Sequence, residues 1–477
     1  AVGRQSLYSN TYGSYNVGFG LQSLRNNTTG YYNTAVGYQA LYGNTTGAQN
    51  TGIGVSALYN NTTGSYNVGV GHAALYYNVN AQQNVAVGYA TLYNNTVSYN
   101  TAVGHGAMNA NTTGIQNTGI GYQALSSNTT GVNNAAVGFQ ALIYTTWGQQ
   151  NIGVGTAPLF TNTAGSNNVA VGHAPMYYNT VGSNNTAIGH VTLYNNTVGG
   201  NNTALGYIAL QFQTTASYNV ALGSYAMNAN TTGAQNTAVG YAAMQYNITG
   251  QNNVAVGCNA LITNTYGDNN IAIGFSALNA NTTGGANVGI GMQSLVNNTT
   301  GYYNTAVGAS SLRQNTWGTN NTAIGLNAMV SNTTGIQNTS LGQQSLQANT
   351  TGSNNVALGQ GALYWNTTGI SNVAVGNQAL FSNVAGDSCV AIGDNALNTS
   401  TVGLLVAVGK SALQNNTTGA NNPFPYLPVV YDFTSPTKQP IVLRGISEFL
   451  CLNFTGTAPA STSFERVKSM LVAIVLI

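Results

Sequence analysis

Apolar positions along this chain recur at every seventeenth residue rather than with a helical or a simple strand period. From Ala1 to about residue 420 the chain repeats a unit close to Asn-Thr-Ala-Val-Gly-Tyr-Gln-Ala-Leu-Tyr-Asn-Asn-Thr-Thr-Gly. Its first glycine marks the register: Gly3, Gly20, Gly37, Gly54, Gly71, Gly88, then Gly104 and on to Gly409. That span holds 22 steps of seventeen and two of sixteen, hence 25 copies. A short, strict period is the signature of a solenoid in which each repeat supplies one rung and buries its apolar side on its neighbours.

Aligned on that glycine, the copies become columns. The residue before it is aliphatic throughout (Val36, Ile53, Val256) except at Phe19. Four residues after it stands Leu in 20 copies (Leu41, Leu58, Leu261) and Met in five. These two columns are the expected core. Three residues before the glycine the side chain is β-branched in every copy that has the position except at Ala135, so Asn-Thr-Ala-Val-Gly reads as a strand with Thr34 and Val36 on one face. The other face, two residues before the glycine, is never larger than Ser (Ala35, Gly52, Gly69, Ala86, Ser340). A solvated face has no reason to exclude every large side chain. The small column therefore predicts a chain-to-chain contact, and since a coil this short is thin, it points to lateral association, with three chains about an axis as the expected arrangement.

Asparagine forms two further columns. Asn33, Asn50, Asn67, Asn202, Asn253 and Asn270 lie four residues before the glycine, in a run that lapses only at Cys389 and Leu405. Asn10, Asn27 and Asn44 open a second column seven residues after it. An amide offers two donors and an acceptor, so stacked copies are expected to bond one another and the turn backbone. Asn-Thr-Thr-Gly is turn chemistry, with Asx bonding followed by a glycine free to take positive φ.

Composition narrows the function. Fourteen charged residues and a formal charge of +2 give no basis for nucleic-acid binding. No apolar run long enough to span a bilayer is visible, so membrane insertion is not expected. Ala1 falls inside a repeat, which suggests a piece of a longer or processed chain. Composition shifts at Pro423: from there to Ile477 the chain carries seven of its fourteen charged residues and six of its eight prolines. The division expected is a solenoid shaft over 1–420 and a small β-rich capping, trimerisation or tip module over 421–477.

Little here carries chemistry. His72, His105, His173 and His190 all follow the repeat glycine, but the same column holds Tyr38, Val55, Phe139 and Lys410, the variability of an exposed edge rather than of a metal site. Only Asp268, Asp387 and Asp394 are acidic in the repeats, too few for the calcium ligands of a nonapeptide β-roll or for paired catalytic carboxylates. No enzyme and no cofactor is expected. Tyr42, Tyr59, Tyr76 and Tyr93 make a consecutive stripe that suits either sugar stacking or the packing of one rod on another. The Asn-x-Thr triplets are glycan acceptors only in a eukaryotic secretory route and are otherwise turns.

The segments Asn253-Val254-Ala255-Val256-Gly257, Asn270-Ile271-Ala272-Ile273-Gly274 and Asn355-Val356-Ala357-Leu358-Gly359 resemble the Asn-Ser-Val-Ala-Ile-Gly repeat of the head domains of trimeric autotransporter adhesins, and similar repeats of phage and large-virus fibres. The resemblance covers about 420 of the 477 residues. It implies a parallel β-roll, three chains side by side, and an exposed adhesin or fibre on a cell or virion surface whose partner is a surface glycan or receptor. An all-β parallel solenoid of about 25 coils, roughly 120 Å long at strand spacing, is the expected architecture. The rival expectations are an extracellular filament protomer and an ice-binding solenoid.

Overall fold

The computed structural model describes residues 1–417 together with Val430–Tyr431 and Pro440–Ile441. It is an all-β parallel solenoid in which strand partners stand most often seventeen positions apart. One strand per coil, from Val17–Phe19 to Val406–Val408, builds a single sheet of 24 strands, and Val2 bridges Phe19 ahead of the first. Each strand pairs in parallel with the next, one repeat on: Thr34 with Thr51, Ala35 with Gly52, Val36 with Ile53. The two short coils keep the pairing, with Val85 on Thr101 and Val390 on Val406. Most strands have three residues; Ile152–Thr156 and Val169–His173 have five, in the two coils where Pro158 and Pro175 have no N–H to bond back to the glycine. Within 421–477, Val430–Tyr431 pairs antiparallel with Pro440–Ile441; the remaining residues of the segment expected as a module lie outside those described.

Inter-coil bonding continues beyond the strand. The Leu41 N–H donates to Ala57 O (2.9 Å) and Thr45 N–H to Thr62 O (2.9 Å) in the next coil, while Gln49 N–H donates to Tyr31 O (2.9 Å) in the previous one. Little backbone is left to satisfy elsewhere. To close a loop in so few residues the chain takes left-handed dihedrals three times per typical coil at residues other than glycine: Gln39 (φ 55°), Leu41 (φ 51°) and Gln49 (φ 56°). At Gly37 φ is 134°, and a Cβ there would lie 2.5 Å from Gly54 O, which accounts for the invariant glycine of the repeat.

The interior is made of three kinds of side chain. Leu24, Leu41, Leu58 and Leu261 are fully buried, as is the small residue before each of the middle two (Ala40, Ala57). Asparagines of both columns, Asn33, Asn50, Asn67, Asn202, Asn253 and Asn270 among them, are also fully buried.

The two faces of the strand are the reverse of the expectation. Ala35, Ala86, Ala255 and Ala272 have no exposed surface at all: the small column points into the coil and is not a contact surface between chains. Val36 and Val256 are half-exposed and Ile53 is 39 % exposed, so the aliphatic column before the glycine points outward and is not core. The reason is the width of the coil. A Cβ added at Gly52 would come within 3.2 Å of Leu41 Cγ, so once leucine and two asparagines occupy the interior only a small side chain or a hydrogen fits opposite.

Candidate functional site

With both strand faces assigned, three surfaces of the rod remain for recognition. The first is the strand face itself. Its outward columns alternate Val, Ile and Leu before the glycine with Val, Ile and Thr two residues earlier, and exposure reaches 56 % at Phe19, 47 % at Leu205 and 48 % at Leu341. The footprint, 24 strands long and two residues wide, is on the order of 800 Å² by strand spacing. The largest apolar patch of a typical monomer is roughly 300–600 Å².

The second surface is the turn. Its threonines direct their hydroxyls along the rod: Thr28 Oγ1 donates to Thr45 O (3.0 Å) and Thr45 Oγ1 to Thr62 O (3.1 Å). A row of threonines whose hydroxyl protons are already used on backbone is a poor template for ordered water.

The third surface is aromatic. Tyr42, Tyr59, Tyr76 and Tyr93 stack ring on ring, with centroids 5.1, 5.0 and 5.1 Å apart and planes within 4°, 4° and 16° of parallel. Stacking consumes the ring faces, so the stripe turns edges and hydroxyls outward and offers no face for a sugar ring along its length. Burial, and then the neighbouring phenols, raise the Tyr59 and Tyr93 hydroxyls above the ordinary tyrosine pKa. At the start of the stripe the Arg25 guanidinium donates to the Tyr42 hydroxyl (2.6 Å) and lies 5.6 Å from its ring centre.

The histidine column forms a second stack that the sequence reading passed over as an edge of variable residues. His72, Tyr89, His105, Tyr122 and Phe139 run without a break, with centroids 5.2, 5.0, 5.4 and 5.3 Å apart. His173 and His190 stack at 5.0 Å, and Tyr207 follows at 5.1 Å. The detectable signal was positional: the residue after each glycine is aromatic or histidine from His72 through Phe139. Among the described residues no three His, Cys, Asp or Glu side chains gather where they would hold a metal ion. The ion pair between Lys410 and Asp394, at 3.7 Å, is exposed.

Between the two aromatic stacks runs a trough of about 430 Å³, floored by Ser56, Ala73 and Ala90 and walled by His72 and Tyr89 on one side and Tyr76 and Tyr93 on the other. A smaller notch of about 260 Å³ opens at Gly285, where Tyr302 and Asp268 flank a position without a side chain.

No family model matches the chain, and no curated protein matches it either.

Proposed function

We propose that this chain is the shaft of an exposed fibre or adhesin, three copies of which associate side by side through their outward Val/Ile/Thr strand faces. The shaft carries the C-terminal segment as an attachment or capping module away from a cell or virion surface. The observation behind this reading is the exposed aliphatic face: a continuous, uncharged stripe along a whole rod is a lateral association surface, and covering it removes far more apolar area from water than any local contact does. A chain with so few charged groups and, among the described residues, one exposed ion pair and no gathered ligands suits a mechanical part better than a catalyst.

The interface differs from the one first expected from the sequence, because the small column is internal and the aliphatic column now carries the contact. Light scattering with negative-stain imaging of the purified chain tests the proposal. A trimeric mass and rods roughly 120 Å long support it. A monomer at micromolar concentration overturns it, and end-to-end growth without limit favours a filament protomer instead.

A further inference from the structure

We propose that the trough between the His72/Tyr89 wall and the Tyr76/Tyr93 wall binds an uncharged oligosaccharide lying along the rod axis.

The trough exists because one column changes. Two residues after the glycine, the chain carries Gln5, Gln22 and Gln39, whose amides bond one another along the rod (Gln39 Nε2 to Gln22 Oε1, 2.9 Å), and later Gln123 and Gln140 (3.0 Å). Between these ladders the column drops to Ser56, Ala73, Ala90 and Gly106. Over four coils the floor is therefore low, and in two of them both walls are aromatic, His72 with Tyr76 and Tyr89 with Tyr93. The same combination recurs in one coil further along, where Ala174 lies between His173 and Tyr177.

The lining selects the ligand. No Lys, Arg, Asp or Glu is present, so neither an anionic sugar nor a phosphate finds a counter-charge. The walls offer phenol hydroxyls and imidazole nitrogens, which hydrogen-bond the hydroxyls of a neutral sugar, and electropositive ring edges, which face its oxygen atoms. The Asn109 Nδ2 donates to Ala90 O (3.0 Å) and Asn94 Nδ2 to Asn109 O (3.1 Å), which leaves both carboxamide oxygens as acceptors at the end of the trough.

Spacing separates a glycan from a peptide. An extended peptide advances about 3.3 Å per residue against a coil height of about 4.8 Å, so its contacts fall out of step with the walls. A linked pyranose ring is close to one coil in height and meets equivalent side chains in successive coils. The trough borders the strand face along its His72/Tyr89 wall, in the column that ends the strands Ile152–Thr156 and Val169–His173, so a sugar bound there lies beside the lateral contact. In that sense the site deepens the exposed-shaft reading and rests on it for its biological setting.

The test fills the floor with the side chain its own column uses elsewhere. Ala73→Gln with Ala90→Gln places glutamines where Gln39 and Gln123 already sit in the same backbone conformation, so the double variant is expected to fold with an unchanged melting temperature. Titration calorimetry of the full chain with cello-, manno-, malto- and chito-oligosaccharides is expected to find at least one that binds, weakened about tenfold or more by the double variant. Three results overturn the site: no neutral oligosaccharide binding at millimolar concentration, binding that the glutamines leave unchanged, or stronger binding of polygalacturonate or sulfated oligosaccharides than of any neutral one. Mass and rod length, measured on the same sample, keep the two readings apart, since an intact trimeric rod that binds no sugar removes the site and leaves the shaft.

Discussion

The side-chain amides of Asn33 and Asn44 converge on one acceptor, the carbonyl oxygen of Gly47, at 2.8 and 2.9 Å. The two residues belong to successive turns of the repeat pattern, and each also reaches along the rod. Asn33 Oδ1 accepts from the Asn50 N–H (2.9 Å), and Asn44 Nδ2 donates to Asn27 Oδ1 (2.7 Å). The bonding therefore ties each turn to itself and to both neighbouring coils. In a core so rich in amides, satisfaction of these groups decides stability as much as apolar burial does.

Removing one amide in mid-rod measures this. In Asn202→Ala the Asn219 N–H loses its acceptor (3.0 Å) and Ala216 O loses one of its two amide donors (3.0 Å). The expected cost is about 1–3 kcal/mol, seen as a new zone of fast amide exchange centred on Asn219. The ladder ends naturally at Cys389, whose N–H still donates to Asn372 Oδ1 (2.9 Å) but whose thiol, a weak donor, reaches only Val402 O (3.4 Å) and Asp387 O (3.7 Å). Coils around Leu405 are expected to exchange faster than those around Asn253.

The reversed strand faces separate two substitutions that lie side by side. Ala255→Leu with Ala272→Leu places two large side chains inside fully filled coils and is expected to cost about 1–3 kcal/mol each, lowering the melting temperature of the chain in whatever assembly it adopts. Val256→Lys with Ile273→Lys alters only the outward face. Its coils are expected to keep their circular dichroism while the assembly loses mass by light scattering.

Left-handed backbone at β-branched residues is a store of strain. Ile208 (φ 51°) and Val191 (φ 54°) occupy the column that elsewhere holds mostly Gln, Asn, Ser, Ala or Gly. Ile208 is half-buried, so some burial is lost by changing it, which places the expected gain at the low end of the backbone strain relieved. Ile208→Asn is expected to stabilise the chain by about 1 kcal/mol, read as a higher midpoint in denaturant, whereas Gln344→Asn, between two residue types that already tolerate this region, is expected to leave it unmoved.

The tyrosine stack sets an alkaline limit. Burial, then neighbouring phenols, hold Tyr59, Tyr93, Tyr177 and Tyr194 above the ordinary tyrosine pKa in the folded chain. The unfolded chain gives up these protons first, so their contribution is complete below about pH 10 and is lost as pH rises beyond it. The melting temperature is expected to fall from that point, with tyrosinate absorbance appearing later than in the unfolded chain. In Tyr59→Phe with Tyr93→Phe the fall is expected to be shallower.

The period, the leucine column and the run of asparagines were legible because each obeys one rule in nearly every copy. The alternation of Ala35 and Val36 told that these residues face opposite ways, but not which of them faces in, since both are apolar. That choice is made by the volume left beside Leu41, which depends on how tightly the coil closes. Its tightness comes from left-handed dihedrals at residues such as Leu41 that have no intrinsic preference for them. Tyr59 and Tyr76 were visible as neighbours in a column, yet whether their ring faces were free or paired depended on side-chain rotation. The trough was hidden for another reason: it is made by the absence of glutamine at Ala73 and Ala90, and an absence inside a variable column leaves no motif.

The alignment of Gly37 beneath Gly54, repeated along the rod, makes the chain a ruler with a fixed graduation. Excising one unit, so that Asn253 is followed directly by the residue after Asn270, brings equivalent side chains back over one another and shortens the rod by one rung without opening a bond in the ladder. Losing any smaller number sets a Cβ against a carbonyl, unless the turn absorbs it as it does at Val97, whose carbonyl takes both amide donors that a glycine receives elsewhere. Length in this architecture is inherited in whole steps, and the rod can be lengthened or shortened by duplication or loss of units while every interior contact stays the same.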